Sequence, residues 1–170
     1  TGDLTALLDA LLYVQQLNDN GRNLRVHGVN ISVGHLFDPR WFAAGLTPVF
    51  HQSEENIMLL ADGRLLWRAV SNVLSNAVKY ALPGTRLYVD VSATQDKAII
   101  SFKNISGAQL NISAEELMER FVRGDSSRST EGSGLGLSIA QSLTGLQGGA
   151  FALTIDGDLF KAAVTFSALP

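Results

Sequence analysis

The spacing of apolar residues in this chain switches from every second residue to every third or fourth and back, and that alternation limits the folds open to it. Asn56-Ile-Met-Leu-Leu-Ala61 is a short apolar run with polar flanks and predicts a buried strand. Directly after it, Val70, Val73, Leu74, Ala77 and Ala81 share one helical stripe. They predict a long helix over about 63–81, capped by Asp62 and closed by Pro83-Gly84. A period of two returns in 86–93 and 97–103, a hairpin around Gln95-Asp96, and again in 150–156 and 159–167 around Asp156-Gly157. Between the hairpins lies a helix over about 134–146, with Leu135, Ile139, Leu143 and Leu146 on one face and Gly148-Gly149 as its stop. Hairpins and helices without strict strand–helix–strand order predict an α/β fold, a two-layer α/β sandwich with a mixed sheet and helices on one face.

The remaining segments are plainer. Leu4, Leu7, Leu8, Leu11 and Leu12 predict a helix over 3–17 that ends in Asn18-Asp19-Asn20-Gly21. Residues 24–33 alternate loosely as a strand, and a short helix follows Pro39 through Trp41 and Phe42. Residues 104–112 predict a loop, 113–120 a short helix, and 122–133 a polar Gly/Ser-rich surface loop. A helix already under way at Thr1 reads as a segment cut from something longer. Apolar residues are 46% of the chain and charged ones 17%, enough to bury a core. A net charge of -3 gives no basic footprint for nucleic acid. The chain has no cysteine, so it has no disulfide or thiolate metal site, and no apolar run reaches the ~18–20 residues of a membrane span.

Three clusters carry chemistry. The first is a second stripe on the 63–81 helix: Asn72, Asn76, Lys79 and Tyr80. A solvated face is the ordinary explanation for such a stripe, but asparagine is a poor helix former and gains nothing there. Two asparagines one turn apart offer paired neutral carbonyl oxygens. Those suit a Mg²⁺ ion that keeps several waters and takes other ligands from phosphates. The second cluster is Gly132-Ser-Gly134-Leu135-Gly136-Leu137, which opens a helix. Alternating glycines admit an anion close to the backbone, and the helix supplies free N–H groups. It is neither the dinucleotide fingerprint nor a Walker loop. The third is the stretch Arg123 to Glu131, whose arginines could close over a phosphate as a lid, with Phe121 as an apolar anchor; an ordinary solvated loop has the same composition. His27, His35 and His51 lack metal-ligand spacing and are expected to be structural or surface residues.

In this order and spacing, the clusters resemble the catalytic ATP-binding domain of bacterial sensor histidine kinases, in the superfamily shared with gyrase, Hsp90 and mismatch-repair ATPases. Asn72-Val-Leu-Ser-Asn76-Ala-Val-Lys79-Tyr80 resembles the N box, Glu119-Arg-Phe121-Val-Arg123 the F box, and Gly132-Ser-Gly134-Leu-Gly136-Leu137 the G2 box. The resemblance spans residues 24–167 and implies a histidine-kinase-type ATPase domain at 21–170, with 1–20 as the end of a dimerisation and histidine-phosphotransfer helix. It implies Asn76 and Asn72 on Mg²⁺, Lys79 and Arg123 on phosphates, and Tyr80 by the adenosine. Gly132, Gly134, Leu135 and Gly136 would lie around the triphosphate, and Phe121 beside the nucleotide. It further implies a protein histidine kinase, the cytoplasmic domain of an inner-membrane sensor. Its partners would be its own dimerisation domain, as a homodimer, and a response regulator. Hydrolytic members carry a glutamate base where Asn72 stands, so this site is expected to shield ATP from water and pass the γ-phosphoryl to a histidine.

One motif departs. The family's adenine-binding Asp-x-Gly-x-Gly is matched here by Asn104-Ile-Ser106-Gly-Ala108, which keeps an acceptor but loses the charge. Two alternatives therefore stand beside the active kinase: a degenerate nucleotide-binding signalling module with weak or no ATP binding, and a superfamily hydrolase or protein serine kinase.

Overall fold

The computed structural model describes residues 24–108, 113, 115–118 and 136–169. Its strands are β1 (His27–Ile31), β2 (Thr47–Gln52), β3 (Ile57–Ala61), β4 (Arg86–Ala93), β5 (Lys97–Ile105), β6 (Ala150–Asp156) and β7 (Leu159–Leu169). Its helices are α1 (Arg40–Ala43), α2 (Gly63–Tyr80) and α3 (Gly136–Leu146), with a 3-10 turn at Val33–Leu36. The expected helix at 3–17 lies outside the described residues.

The strands form one mixed sheet in the order β1-β3-β7-β5-β4-β2, with β6 also on β7. Only β2 and β4 run parallel among the described strands. β7 holds the sheet together. One edge pairs with β5 along Leu159–Ser167; the other is shared by β6 at Leu159–Thr165 and β3 at Ala168–Leu169. Alternation along the strands sorts the faces. Leu87, Val89 and Val91 of β4, Ala98, Ile100 and Phe102 of β5, and Phe160, Ala162, Val164 and Phe166 of β7 are buried. They meet the apolar stripe of α2 (Leu65, Leu66, Ala69, Val70, Val73, Leu74, Ala77) and Leu137, Ala140 and Leu143 of α3. The other face is wetter: Lys103 Nζ lies 5.1 Å from the centre of the Tyr88 ring, its cross-strand partner.

Both hairpins and the 56–61 strand form where their periodicity places them. Asp62 caps α2 as expected, accepting from the Arg64 N–H at 3.1 Å. It does more than cap. Its carboxylate also accepts from the Arg25 N–H at 3.1 Å, and its own N–H donates to Gln147 Oε1 at 2.9 Å. One buried acid thus ties the approach to β1, the start of α2 and the residue after α3. Burial alone would push this carboxyl up, but donation from the Arg25 N–H and the Arg64 side chain and N–H holds it below its ordinary value. Ser113 accepts from the Glu116 N–H at 3.2 Å, and residues 115–118 are helical within the expected 113–120 segment.

The structure corrects two expectations. The loop over 104–112 starts too early, because β5 continues to Ile105 through pairing with β7 (Asn104 with Phe160, Ile105 with Leu159). A polar asparagine reads locally as a loop former, yet here the ladder carries it. Thr47–Gln52 is a strand that the alternation did not signal. It is an edge strand with most side chains exposed, and an edge tolerates Pro48.

Candidate functional site

α2 is apolar on the side facing the sheet and turns a polar side away from it. Asn72, Ser75, Asn76 and Tyr80 are half-buried, because Gly136 and Ile139 of α3 stand beside them. These six residues and Lys79 line a cavity of about 120 Å³. The polar stripe is therefore the wall of a cleft between α2 and α3. Gly136 makes the approach close: a Cβ there would sit 3.5 Å from the Asn72 carbonyl oxygen and 3.8 Å from Asn72 Oδ1.

The amide orientations bear on metal binding. Asn72 Nδ2 donates to the Arg68 carbonyl at 3.0 Å, one turn back on the helix. That fixes the amide and leaves Oδ1 as an open acceptor on the cleft side. The Asn76 side chain has no hydrogen-bond partner among the described residues. Two neutral carbonyl oxygens one turn apart can hold a divalent cation that keeps most of its waters. No group of three or more His, Cys, Asp or Glu among the described residues could serve as an all-protein metal site. The field is favourable to an anion: α2 carries Arg64, Arg68 and Lys79 and no carboxylate, in a chain whose net charge is -3.

A second, more open groove of about 640 Å³ continues past the end of α2, and Lys79 and Tyr80 border both spaces. Its far wall is Gly107 and Ala108, the stretch after β5. Backbone pairing holds that stretch against α2. Ser106 forms an isolated bridge with Ala81, the Gly107 N–H donates to the Tyr80 carbonyl at 2.8 Å, and the Ala108 N–H donates to Ser106 Oγ at 3.3 Å. A Cβ at Gly107 would lie 3.3 Å from the Tyr80 carbonyl oxygen, so this glycine permits the contact. Asn104 continues the inward column Ala98, Ile100, Phe102 on β5 and so faces the helix layer. It is 4% exposed, and its amide has no hydrogen-bond partner among the described residues. Buried amides are ordinarily paired, so this one is a candidate for a ligand's donor.

The fold thus gathers Asn72, Asn76, Lys79, Tyr80 and Gly136 on one cleft, with Ser106 and Ala108 beyond Tyr80 and Asn104 on the same side of the sheet. Phe121, Arg123, Gly132, Gly134 and Leu135 lie outside the described residues. Sequence reasoning missed Ser75 and Ile139, which line the cleft. Ser75 falls one position outside the asparagine spacing. Ile139 belongs to an apolar stripe that reads as core. The three histidines are exposed: His27 Nδ1 lies 3.0 Å from the Gly28 carbonyl, and His51 lies 3.6 Å from Asp90. None joins the cleft.

Comparison with known proteins agrees with this geometry. Residues 61–167 match the family "Histidine kinase-, DNA gyrase B-, and HSP90-like ATPase". The chain is 31% identical over 153 residues to the probable sensor protein PcoS of Escherichia coli, covering 86% of this chain and 32% of that protein. It is 28% identical over 153 residues to the sensor histidine kinase HprS of Escherichia coli (strain K12), covering 86% of this chain and 33% of that protein. It therefore spans about a third of the length of the curated relatives it matches. Among solved structures, the catalytic domain of histidine kinase ThkA superposes with a TM-score of 0.69 at 20% identity, over 84% of this chain and 95% of that one. Full-length ShkA in complex with AMPPNP superposes with a TM-score of 0.72 at 21% identity, over 99% of this chain and 37% of that one. At such identities the superpositions speak to the fold, and the family match, over more than half of the chain, speaks to kinship. The chain belongs to the histidine kinase-, DNA gyrase B- and HSP90-like ATPases, and within them it is a catalytic domain of the sensor histidine kinase type.

Proposed function

We propose that this domain binds Mg-ATP in the cleft between α2 and α3 and donates the γ-phosphoryl to a histidine on a separate phosphotransfer domain. The observation that carries the reading is the paired side-chain carbonyls of Asn72 and Asn76 beside Lys79, on a cleft closed by Gly136. Asn76 and Asn72 hold the metal, which when bound neutralises charge on the phosphates. Lys79 and Arg123 contact phosphate oxygens, and Gly132, Gly134, Leu135 and Gly136 surround the triphosphate. Tyr80 and Phe121 pack near the nucleoside, and Asn104 accepts from the adenine amino group beside Ser106 and Ala108. Catalysis is then positioning and charge neutralisation. An amide at position 72 cannot act as a base, which fits transfer better than hydrolysis. The family pattern also supports residues 1–20 as the end of a dimerisation helix in a homodimeric membrane sensor that serves a response regulator. No helix among the described residues is long and apolar enough to cross a membrane.

Calorimetric titration with a non-hydrolysable ATP analogue at millimolar Mg²⁺ tests this. Binding that disappears on chelation, with little ATP turnover by the isolated chain, is expected; no binding overturns the proposal. One observation favours a second reading, a signalling module with weakened nucleotide affinity: the adenine side offers a neutral amide at Asn104, with Ser106 and Ala108 where the family has glycines.

A further inference from the structure

The Asp38–Arg40 pair on α1 stands outside the family's motifs yet reaches the cleft. Arg40 Nε lies 3.1 and 3.0 Å from the two Asp38 carboxylate oxygens, and Nη2 lies 2.6 Å from Oδ2. The Arg40 N–H also donates to Asp38 Oδ1 at 3.0 Å, which fixes the start of α1. The same guanidinium then crosses to α2, where Nη2 donates to Ser75 Oγ at 3.2 Å. Ser75 lines the cavity with Asn72, Asn76 and Lys79. The Arg40 side chain is 56% exposed. An exposed ion pair adds little stability, and the entropy of holding an arginine still opposes it. The arrangement does, however, bring a rigid, permanently charged fork within one hydrogen bond of the cavity wall.

We propose that Arg40 is an additional phosphate-binding residue of this site, acting on the terminal phosphate of the nucleotide. This rests on the reading of the cleft as a Mg-ATP site. Ser75 adjoins Asn76 and lies a full turn before Lys79, so Arg40 approaches the metal end of the cleft and not the Tyr80 end. Without nucleotide, the guanidinium is shared between Asp38 and Ser75. A triphosphate oxygen at the rim is a stronger acceptor than the serine hydroxyl and takes its place, while Asp38 keeps the arginine aimed.

Calorimetric titration of Mg-AMPPNP and Mg-ADP into the wild-type chain, Arg40→Ala, Arg40→Lys and Ser75→Ala tests this. Arg40→Ala is expected to weaken AMPPNP roughly tenfold, the scale of one charge-assisted hydrogen bond, and ADP by much less. Arg40→Lys should recover part of the loss, because charge remains but the fork does not. Ser75→Ala should weaken AMPPNP by a smaller factor in the same direction. Unchanged AMPPNP affinity in Arg40→Ala, or equal losses for AMPPNP and ADP, overturns the assignment. A wild-type chain that binds neither nucleotide instead overturns the reading of the cleft itself. Urea unfolding of each variant should match the wild type; a loss of stability in Arg40→Ala that Arg40→Lys does not share, with affinity unchanged, assigns the pair to structure alone and overturns the proposal.

Discussion

Asn104→Asp restores the charge that the family pattern expects and makes two opposite demands on the molecule. Asn104 is 4% exposed, its inward neighbour on β5 is Phe102, its cross-strand partner is Phe160, and its amide has no partner among the described residues. A carboxylate there sits desolvated and unpaired. The cost to the ligand-free protein is on the order of 1–3 kcal/mol, the penalty for leaving a buried polar group unsatisfied. Burial favours the neutral acid, so the introduced group's folded pKa is raised above its unfolded value. The destabilisation is then smallest in acid and grows as pH rises through the folded pKa. Nucleotide affinity moves the other way. A neutral hydrogen bond contributes about 0.5–1.5 kcal/mol net and one to a charged acceptor about 1.5–3 kcal/mol. The desolvation has already been incurred in the free protein, so the difference appears in binding as roughly a fivefold gain. Urea unfolding at pH 5 and pH 8, paired with calorimetry at pH 8, reads both. Stability equal to wild type at both pH values shows that the position is not desolvated. Affinity that fails to rise refutes the assignment of Asn104 to the adenine.

Three further outcomes are expected. Asp62→Ala removes the α2 cap and orphans the Arg25 N–H, and should lower unfolding free energy by about 2–4 kcal/mol at pH 7. Because the Asp62 carboxyl is held below its ordinary value, this contribution is complete above about pH 4 and fades as pH falls through the folded value, so the gap to wild type should narrow in acid. Asn76→Ala should abolish Mg²⁺-dependent nucleotide binding while changing stability by less than about 1 kcal/mol, since its amide has no partner among the described residues; retained binding in calorimetry would remove Asn76 from the site. Gly149→Ala would put a Cβ 2.8 Å from the Thr165 carbonyl oxygen and 2.9 Å from a Phe166 ring carbon. It should cost about 1–3 kcal/mol in chemical unfolding, and a neutral result would contradict the tight entry from α3 into β6.

The sequence by itself determined the secondary elements with a strong apolar period and the clusters of polar chemistry. The α2 stripe from Val70 to Ala77 must face a core, and the glycines at Gly148 and Gly157 take positive φ where a helix or hairpin ends. Those are local consequences of spacing and backbone freedom, and they hold whatever the rest of the chain does. Only the tertiary structure decided what lies beside what. Asn104 reads as a loop residue until pairing with Phe160 sets it in β5 facing the helices. Thr47–Gln52 has no inward alternation of its own and becomes a strand because β4 offers it an edge. Ser75 is one more polar residue until α3 and Arg40 arrive on either side of it. The physical reason is common to all three. A residue's spacing reports which way it points along its own element, whereas its burial and its partners depend on elements distant in the chain. The paired asparagines announce a site from the sequence alone, and the packing of α3, α1 and the end of β5 around α2 makes it a cleft.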